Sequence, residues 1–239
     1  MPITVFELFR FDSAKARWWA FKQMPVAKDV LPGADGLRFG KMLGTGAGQG
    51  FSIWPDWSHY ALLSVWNHYQ HYRDFAALNP WYQELNMRAD SQTLFKLSSF
   101  MSRGAWHSQN PFSGQDGRQD AELIGVLTRA SIKPKLLHRF WKEVPKVSKK
   151  LMDQPGKLFS KGVGEWPLIE QATFSIWENS VLMQNFAYRE KEHRRVVEQT
   201  RRLNWYSEEL FARFEVIEIN GDVLFPGQNE LLESAQVKR

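Results

Sequence analysis

The residue whose surroundings best suit it to chemistry is His193. In YREKEHRRVVEQTRRLNW, helical spacing places Val196, Val197, Thr200 and Leu203 on its face, while Arg194, Arg195, Arg201 and Arg202 fall elsewhere. The imidazole is therefore expected to point toward a sheet or a pocket. Two readings stay open. One is a buried, hydrogen-bonded structural histidine, the commoner case. The other is an axial ligand to a haem iron, a role that a neutral imidazole fills well.

Other patterns that could carry chemistry are weaker. His68 and His71 form an HxxH at a spacing that can hold a metal, but Asp74 is the one carboxylate nearby and the helix reads as exposed, so a solvated surface is favoured. The Gly-rich stretch GTGAGQGF (Gly44–Phe51) has glycines at every second position and leads into Pro55 and a strand rather than a helix. It fits neither a dinucleotide fingerprint nor a phosphate loop, and a flexible insertion that approaches a ligand or moves as a lid is the better reading. GLRFGKM has the wrong spacing for a phosphate loop. There is no GxSxG and no HExxH. The absence of cysteine excludes a disulfide framework, a thiolate-bound metal or haem, and a cysteine nucleophile.

The elements that must position these residues come in two series. ITVFELFRF (Ile3–Phe11) reads as a strand. A helix follows from Ser13, with Ala14, Trp18, Phe21 and Pro25 at helical spacing, and Pro25 is expected to end it. Strands are expected at Leu37–Gly46 and Tyr60–Trp66, then a helical stretch NHYQHYRDFAAL, then a strand TLFKLSSFMSRG. This is β-α-β-β-α-β. After the polar, Gly-containing stretch Ser108–Asp120 the pattern restarts with ELIGVLTRA, KPKLLHRFWKEVP, KLFSKGVG, QATFSIW, the helix carrying His193, and LFARFEVIEING.

The two series align as an internal repeat. Arg10 matches Arg129 at an offset of 119; Pro25 matches Pro145 and Gly44 matches Gly164 at 120; Ser64-Val65-Trp66 matches Ser175-Ile176-Trp177, and Phe75 matches Phe186, at 111. The first half thus carries nine extra residues between Gly44 and Ser64. FSIW occurs at Phe51–Trp54 and Phe174–Trp177, yet the repeat partner of the second copy is Leu63–Trp66, and the first copy sits in the extra loop. The expected fold is α+β: two ferredoxin-like repeats, 1–107 and 121–226, joined by a linker at 108–120, followed by a polar tail at 227–239. Their sheets pack together as an intrachain dimeric α/β barrel.

Composition bounds the function. The chain has 239 residues, a net charge of +5, 11 Trp and 17 Phe. So many aromatics imply a thick core or a cavity for a flat or long apolar ligand. The N-terminus enters a strand pattern at once, and no run of about 18 apolar residues exists, so a cytoplasmic protein without a transmembrane segment is expected. The repeat order also fits a tandem RNA-recognition module, but YALLSVW and QATFSIW lack the glycine and basic start of that motif, and nucleic acid is not expected as a partner. A non-catalytic binder of haem or an apolar ligand is the alternative to an enzyme.

GKMLGTGAGQGFSIWPDWSHYALLSVW, SSFMSRGAWHSQNPF, GVGEWPLIEQATFSIW and FAYREKEHRRVVEQTRRLNWYSEELFARF together resemble the spheroidene monooxygenase family of carotenoid ketolases, over most of Ile3–Phe225. The last stretch is the most specific. The resemblance implies the same barrel and an oxygenase that introduces a keto group next to the methoxy end of an acyclic carotenoid. It also implies haem as cofactor and a ferredoxin as electron donor. On this basis His193 is expected as the proximal ligand, with Arg201, Arg213 and Gln171 as distal or propionate partners. Phe51, Trp54, Trp57, Trp166 and Trp177 are expected to line the substrate pocket or its lid. Peripheral contact with a membrane and the oligomeric state stay open.

Overall fold

The computed structural model describes residues 1–48, 52, 54–142, 154–166, 168–189 and 205–221. The first repeat runs β1 (Ile3–Arg10), α1 (Ala14–Val30), β2 (Leu37–Gly46), β3 (Pro55–Trp66), α2 (Tyr69–Leu78), α3 (Pro80–Arg88) and β4 (Ser91–Gly104). The second runs β5 (Ile124–Ile132), α4 (described over 137–142), β6 (Lys157–Trp166), β7 (Glu170–Trp177), α5 (Ser180–Arg189) and β8 (Tyr206–Gly221). The two four-stranded sheets join along both edges into one closed antiparallel barrel, in the order β1-β3-β2-β6-β7-β5-β8-β4.

Strand alternation sorts the side chains. In β1, Phe6 and Leu8 enter the barrel interior, where they meet Leu63, Phe95, Phe159, Phe174 and Phe214. Val5 and Phe9 face outward and are covered by the helices of the first repeat, together with Tyr60, Trp66, Phe75 and Leu85. Among the described residues, the outer layer of the second repeat is built on Ile124, Val126, Trp177 and Met183, with a further cluster of Ile132, Phe140 and Trp205.

Two features differ from the sequence expectation. Pro25 does not end α1, which continues to Val30 with the proline inside it. Pro25 has no N–H for the Phe21 carbonyl, but Ala20, Ala27 and Leu31 are buried on the sheet and hold the helix course on both sides of it. The Ser13 cap also helps, its Oγ accepting from the Ala16 amide at 3.1 Å. In addition, the second helical segment of this repeat is two helices. Asn79 ends α2 and caps α3, its Oδ1 accepting from the Tyr82 amide at 3.1 Å, and Pro80 starts the new helix.

The seams between repeats are unequal. β4 and β8 pair from Thr93↔Gly221 to Gly104↔Leu210. β2 and β6 pair through only Gly44↔Gly164 and Thr45↔Val163 among the described residues. The polar stretch 108–120 seals one barrel end. Phe112 joins the interior core, its ring 5.0 Å from that of Phe214. The Gln115 carboxamide oxygen accepts from the Ser99 amide at 2.8 Å, and its nitrogen donates to Thr4 Oγ1 at 2.9 Å.

Candidate active site

The short β2–β6 seam leaves a cleft on the outer barrel surface, and α1 roofs it. The result is a cavity of about 1390 Å³ between α1, β2 and β3, crossing to β6 and the β6–β7 turn. That is larger than most small-molecule sites need. Met24, Leu31, Leu37, Phe39 and Met42 make it apolar, and Trp57 and Trp166 stand at its sides. The β6 wall requires glycine at 164, because a Cβ there would lie 2.4 Å from the Glu170 carbonyl oxygen.

The polar groups that reach this cavity include Asp56, Tyr60, His107 and Glu165. Tyr60 is 2% exposed, and its hydroxyl has no hydrogen-bond partner. Burial, with the nearby Asp56 charge, pushes the phenol up to about 12, so it stays a neutral donor. Asp56 itself is tied to the seam. Lys161 Nζ lies 3.0 Å from Asp56 Oδ2, and His59 Nδ1 lies 2.8 Å from the same oxygen. Burial alone would raise the Asp56 carboxyl. Hydrogen bonds from His59 and Ser58 and the charge of Lys161 outweigh it and hold the group well below the usual carboxylate range. Burial lowers the Lys161 ammonium, and Asp56 offsets part of that.

A second polar cluster sits where the cavity meets the sealed end. His107 and Ser108 both have positive φ, 51° and 64°. The turn is pinned by Glu208, whose carboxylate accepts from both of their amides at 2.9 and 2.8 Å. Burial would raise Glu208; these two amides and Arg129 lower it instead. Lys41 Nζ lies 3.1 Å from His107 Nδ1 and 2.9 Å from Glu165. An ammonium has only protons to give, so Nδ1 is the acceptor and the ring carries its proton on Nε2. Nε2 lies 3.7 Å from both Glu165 and Glu170. The ligand atoms of His107, Glu165 and Glu170 fall within 4.8 Å of one another, close enough to share a cation. Lys41 and Arg129 already occupy that role: Arg129 lies between Glu170, at 3.2 Å, and Glu208. The cluster thus fixes His107 at the cavity edge with a defined proton.

The residues singled out from sequence divide over the molecule. Trp57, Trp166 and Gln171 line the cavity. Gln171 donates to the Trp166 carbonyl at 3.3 Å across the tight β6–β7 turn. Trp54 is exposed in the β2–β3 loop, whose Ala47 amide bonds the Trp54 carbonyl at 2.8 Å. Trp177 lies in the second-repeat layer, stacked on Phe186 at 5.4 Å, with its indole N–H on Ser175 Oγ. Arg213 is buried on β8, over the Phe211 ring at 5.2 Å. His193, Arg201 and Phe51 lie outside the described residues. His68 and His71 stack at 5.7 Å near the start of α2, where His68 Nδ1 meets the N-terminal amine at 3.0 Å.

Sequence reading missed Tyr60, Asp56, Lys161, His107 and Glu165. Lys161 did leave a signal: a lysine inside the strand KLFSKGVG, at a position that alternation sends inward, must find an acid.

No family model matches the chain. The spheroidene monooxygenase of Rhodobacter capsulatus is 33% identical over 223 residues, 92% of this chain and 92% of that protein. The spheroidene monooxygenase of Cereibacter sphaeroides is 33% identical over 218 residues, 91% of this chain and 67% of that protein. Among solved structures, an aldoxime dehydratase in complex with butyraldoxime superposes with a TM-score of 0.64 at 9% identity, covering 97% of this chain and 85% of that one. Another aldoxime dehydratase gives 0.56 at 11% identity, over 90% and 81%. The structural likeness establishes the shared barrel, and the sequence likeness, which spans 92% of both chains for the Rhodobacter capsulatus protein, establishes more: the chain belongs to the spheroidene monooxygenase family, and with it to the oxidoreductases.

Proposed function

We propose that this enzyme oxygenates a long apolar substrate of the acyclic carotenoid class, bound in the cavity beneath α1, and that the product carries a keto group. The observation that carries this reading is the cavity itself. It is large, apolar and aromatic-sided, and in its wall is a buried hydroxyl, that of Tyr60, which no protein group satisfies. A polyene with one ether or carbonyl oxygen matches that distribution. Its chain would fill the apolar length, and its oxygen would accept from Tyr60. Burial of both partners makes such a bond selective, because a substrate without the oxygen leaves the phenol unpaired.

Monooxygenation places one oxygen atom of O2 in a C–H bond and releases the other as water, consuming two electrons and two protons. Converting a methylene to a ketone takes two such rounds and the loss of water. The electrons would come from a ferredoxin-type donor. His107, with Nε2 protonated between Glu165 and Glu170 and in reach of bulk water, is suited to pass protons to the cavity edge.

Haem held by His193 is the cofactor proposed with this reading, and it would supply the oxygen activation. The cavity itself does not fit as its seat, since His107, the imidazole among its described lining residues, is engaged with Lys41. The second-repeat layer fits better. Ser160 Oγ and Thr173 Oγ1 are buried there without a partner, beside an aromatic floor of Trp177 and Phe186. The repeat offset of 111 carries His193 onto Tyr82, which is buried against the sheet. Gln171 links the two regions: it lines the cavity and precedes Thr173 by one outward step on β7. Cells that make an acyclic carotenoid should yield its ketone when this chain is expressed. Purified protein with haemin should give a Soret band that moves in His193→Ala. A spectrum unchanged by that substitution would overturn the assignment of His193 as the residue that would hold haem, and the absence of any oxygenated carotenoid would overturn the substrate class.

A further inference from the structure

The stripe Ala14, Trp18, Phe21 and Pro25, which by helical spacing should face a core, faces away from it. Trp18 is 61% exposed and Phe21 38%, and the core contacts of α1 come from Ala20, Ala27, Trp19 and Met24 instead. The exposed rings are not scattered. Trp18 stacks on Phe21 at 5.6 Å, and Phe21 meets Trp57 edge-on at 5.4 Å. Trp166 stands 60% exposed across the cavity opening, beside Leu168. Phe21, Trp57 and Trp166 belong to the cavity wall as well, so the surface patch and the cavity are continuous. Clustered exposed aromatics of this kind mark an interaction surface.

We propose that this face of α1, with Trp57 and the β6–β7 turn, docks on an anionic lipid bilayer with the cavity opening toward the lipid. The charges select that partner. Lys22 Nζ lies 5.8 Å from the Trp18 ring centre, and Lys28 Nζ lies 5.9 Å from that of Trp166. Tryptophan rings flanked by lysines suit the headgroup level, where the ring enters the apolar boundary and the ammonium meets a phosphate. A second copy of the chain, related by a two-fold axis, would set this lysine-bearing face against the same lysine-bearing face. Among the described residues no helix is long and apolar enough to cross a membrane, so the contact is one of surface docking. The surface rests on the patch alone; that it feeds the cavity rests on the proposed substrate class, since a long polyene is dissolved in bilayers.

Co-sedimentation with vesicles tests the surface without substrate. Wild type should bind phosphatidylglycerol-containing vesicles and bind phosphatidylcholine vesicles about five-fold more weakly for each lysine engaged. Trp18→Ala should weaken binding roughly tenfold while its far-UV dichroism stays that of wild type, and Trp18→Asp should weaken it further. Both variants should oxygenate detergent-dispersed substrate as wild type does, which separates a failed docking surface from a failed activity. Absence of binding to either vesicle overturns the proposal, as does binding that Trp18→Ala leaves unchanged. A dimer in sedimentation equilibrium that Trp18→Ala dissociates, without vesicle binding, assigns the patch to self-association and overturns it too.

Discussion

Lys161 Nζ lies 3.0 Å from Asp56 Oδ2, and the two residues belong to different halves of the chain. This ion pair spans the seam where β2 and β6 share two residue pairs, and Lys161 is fully buried. Removing Asp56 would leave the fully buried Lys161 ammonium without that carboxylate, whereas removing Lys161 leaves the Asp56 carboxylate its hydrogen bonds from His59 and Ser58. Lys161→Met should therefore cost about 1–3 kcal/mol of unfolding free energy, measured by urea denaturation. The double variant Lys161→Met with Asp56→Asn should recover part of the loss. The Asp56 carboxyl is held below its unfolded value, so its contribution is present above that value and declines as the pH falls toward the lowered folded one. Wild type should lose more stability than Asp56→Asn on acidification below about pH 4.

Glu7 gives the opposite pH dependence. It is buried between β1 and the helices. Its Oε1 accepts from Tyr82 at 2.6 Å, Tyr72 at 2.9 Å and Gln92 at 2.6 Å, and its Oε2 has no partner. Burial raises the carboxyl to about 7 although these three hydrogen bonds oppose it. The folded state thus holds a proton that the unfolded state has released. Its contribution is complete below about pH 4.5 and lost as the pH rises through 7. Glu7→Gln mimics the protonated form. The difference in stability between this variant and wild type should grow by roughly 3 kcal/mol in the variant's favour from pH 4.5 to pH 8. A constant difference would mean that Glu7 does not titrate in this range.

Tyr60 separates stability from function. Its buried hydroxyl lacks a protein partner, so Tyr60→Phe should leave the melting temperature unchanged or raise it slightly. If that hydroxyl holds the substrate oxygen, kcat/KM for an oxygen-bearing polyene should fall about tenfold, and the same substitution should have little effect with a plain hydrocarbon polyene. Equal losses with both would place Tyr60 in packing alone.

The barrel was legible in the sequence because its evidence is local or periodic. Leu37–Gly46 reads as a strand and is one, and the offsets of 119, 120 and 111 place each strand of one repeat on its counterpart. The N-terminal part of β3 was not legible, since PDWSH is polar and begins with proline, yet Pro55 and Asp56 pair with the end of β2. The end of α1 was misread because tertiary burial of Ala27 and Leu31 outweighs the cost of an internal proline. The site was hidden for a different reason. Asp56 meets Lys161, and Lys41 meets His107 and Glu165, across separations that no spacing rule covers. Trp57 and Trp166 line the cavity, whereas Trp66 and Trp177, at the ends of β3 and β7, are buried in the outer layers, so position along a strand does not by itself separate the two cases.

Binding of the substrate in the cavity beneath α1 can be probed at Gly44. A Cβ built there meets nothing nearer than 3.9 Å, the Gly164 carbonyl and Met24 Sδ, so the backbone accepts a side chain that starts into the cavity beside Met24. Gly44→Phe should fold as wild type by near-UV dichroism and lose oxygenated carotenoid product by about a hundredfold or more, through KM and occupancy. A correctly folded Gly44→Phe enzyme with wild-type product formation would contradict the claim.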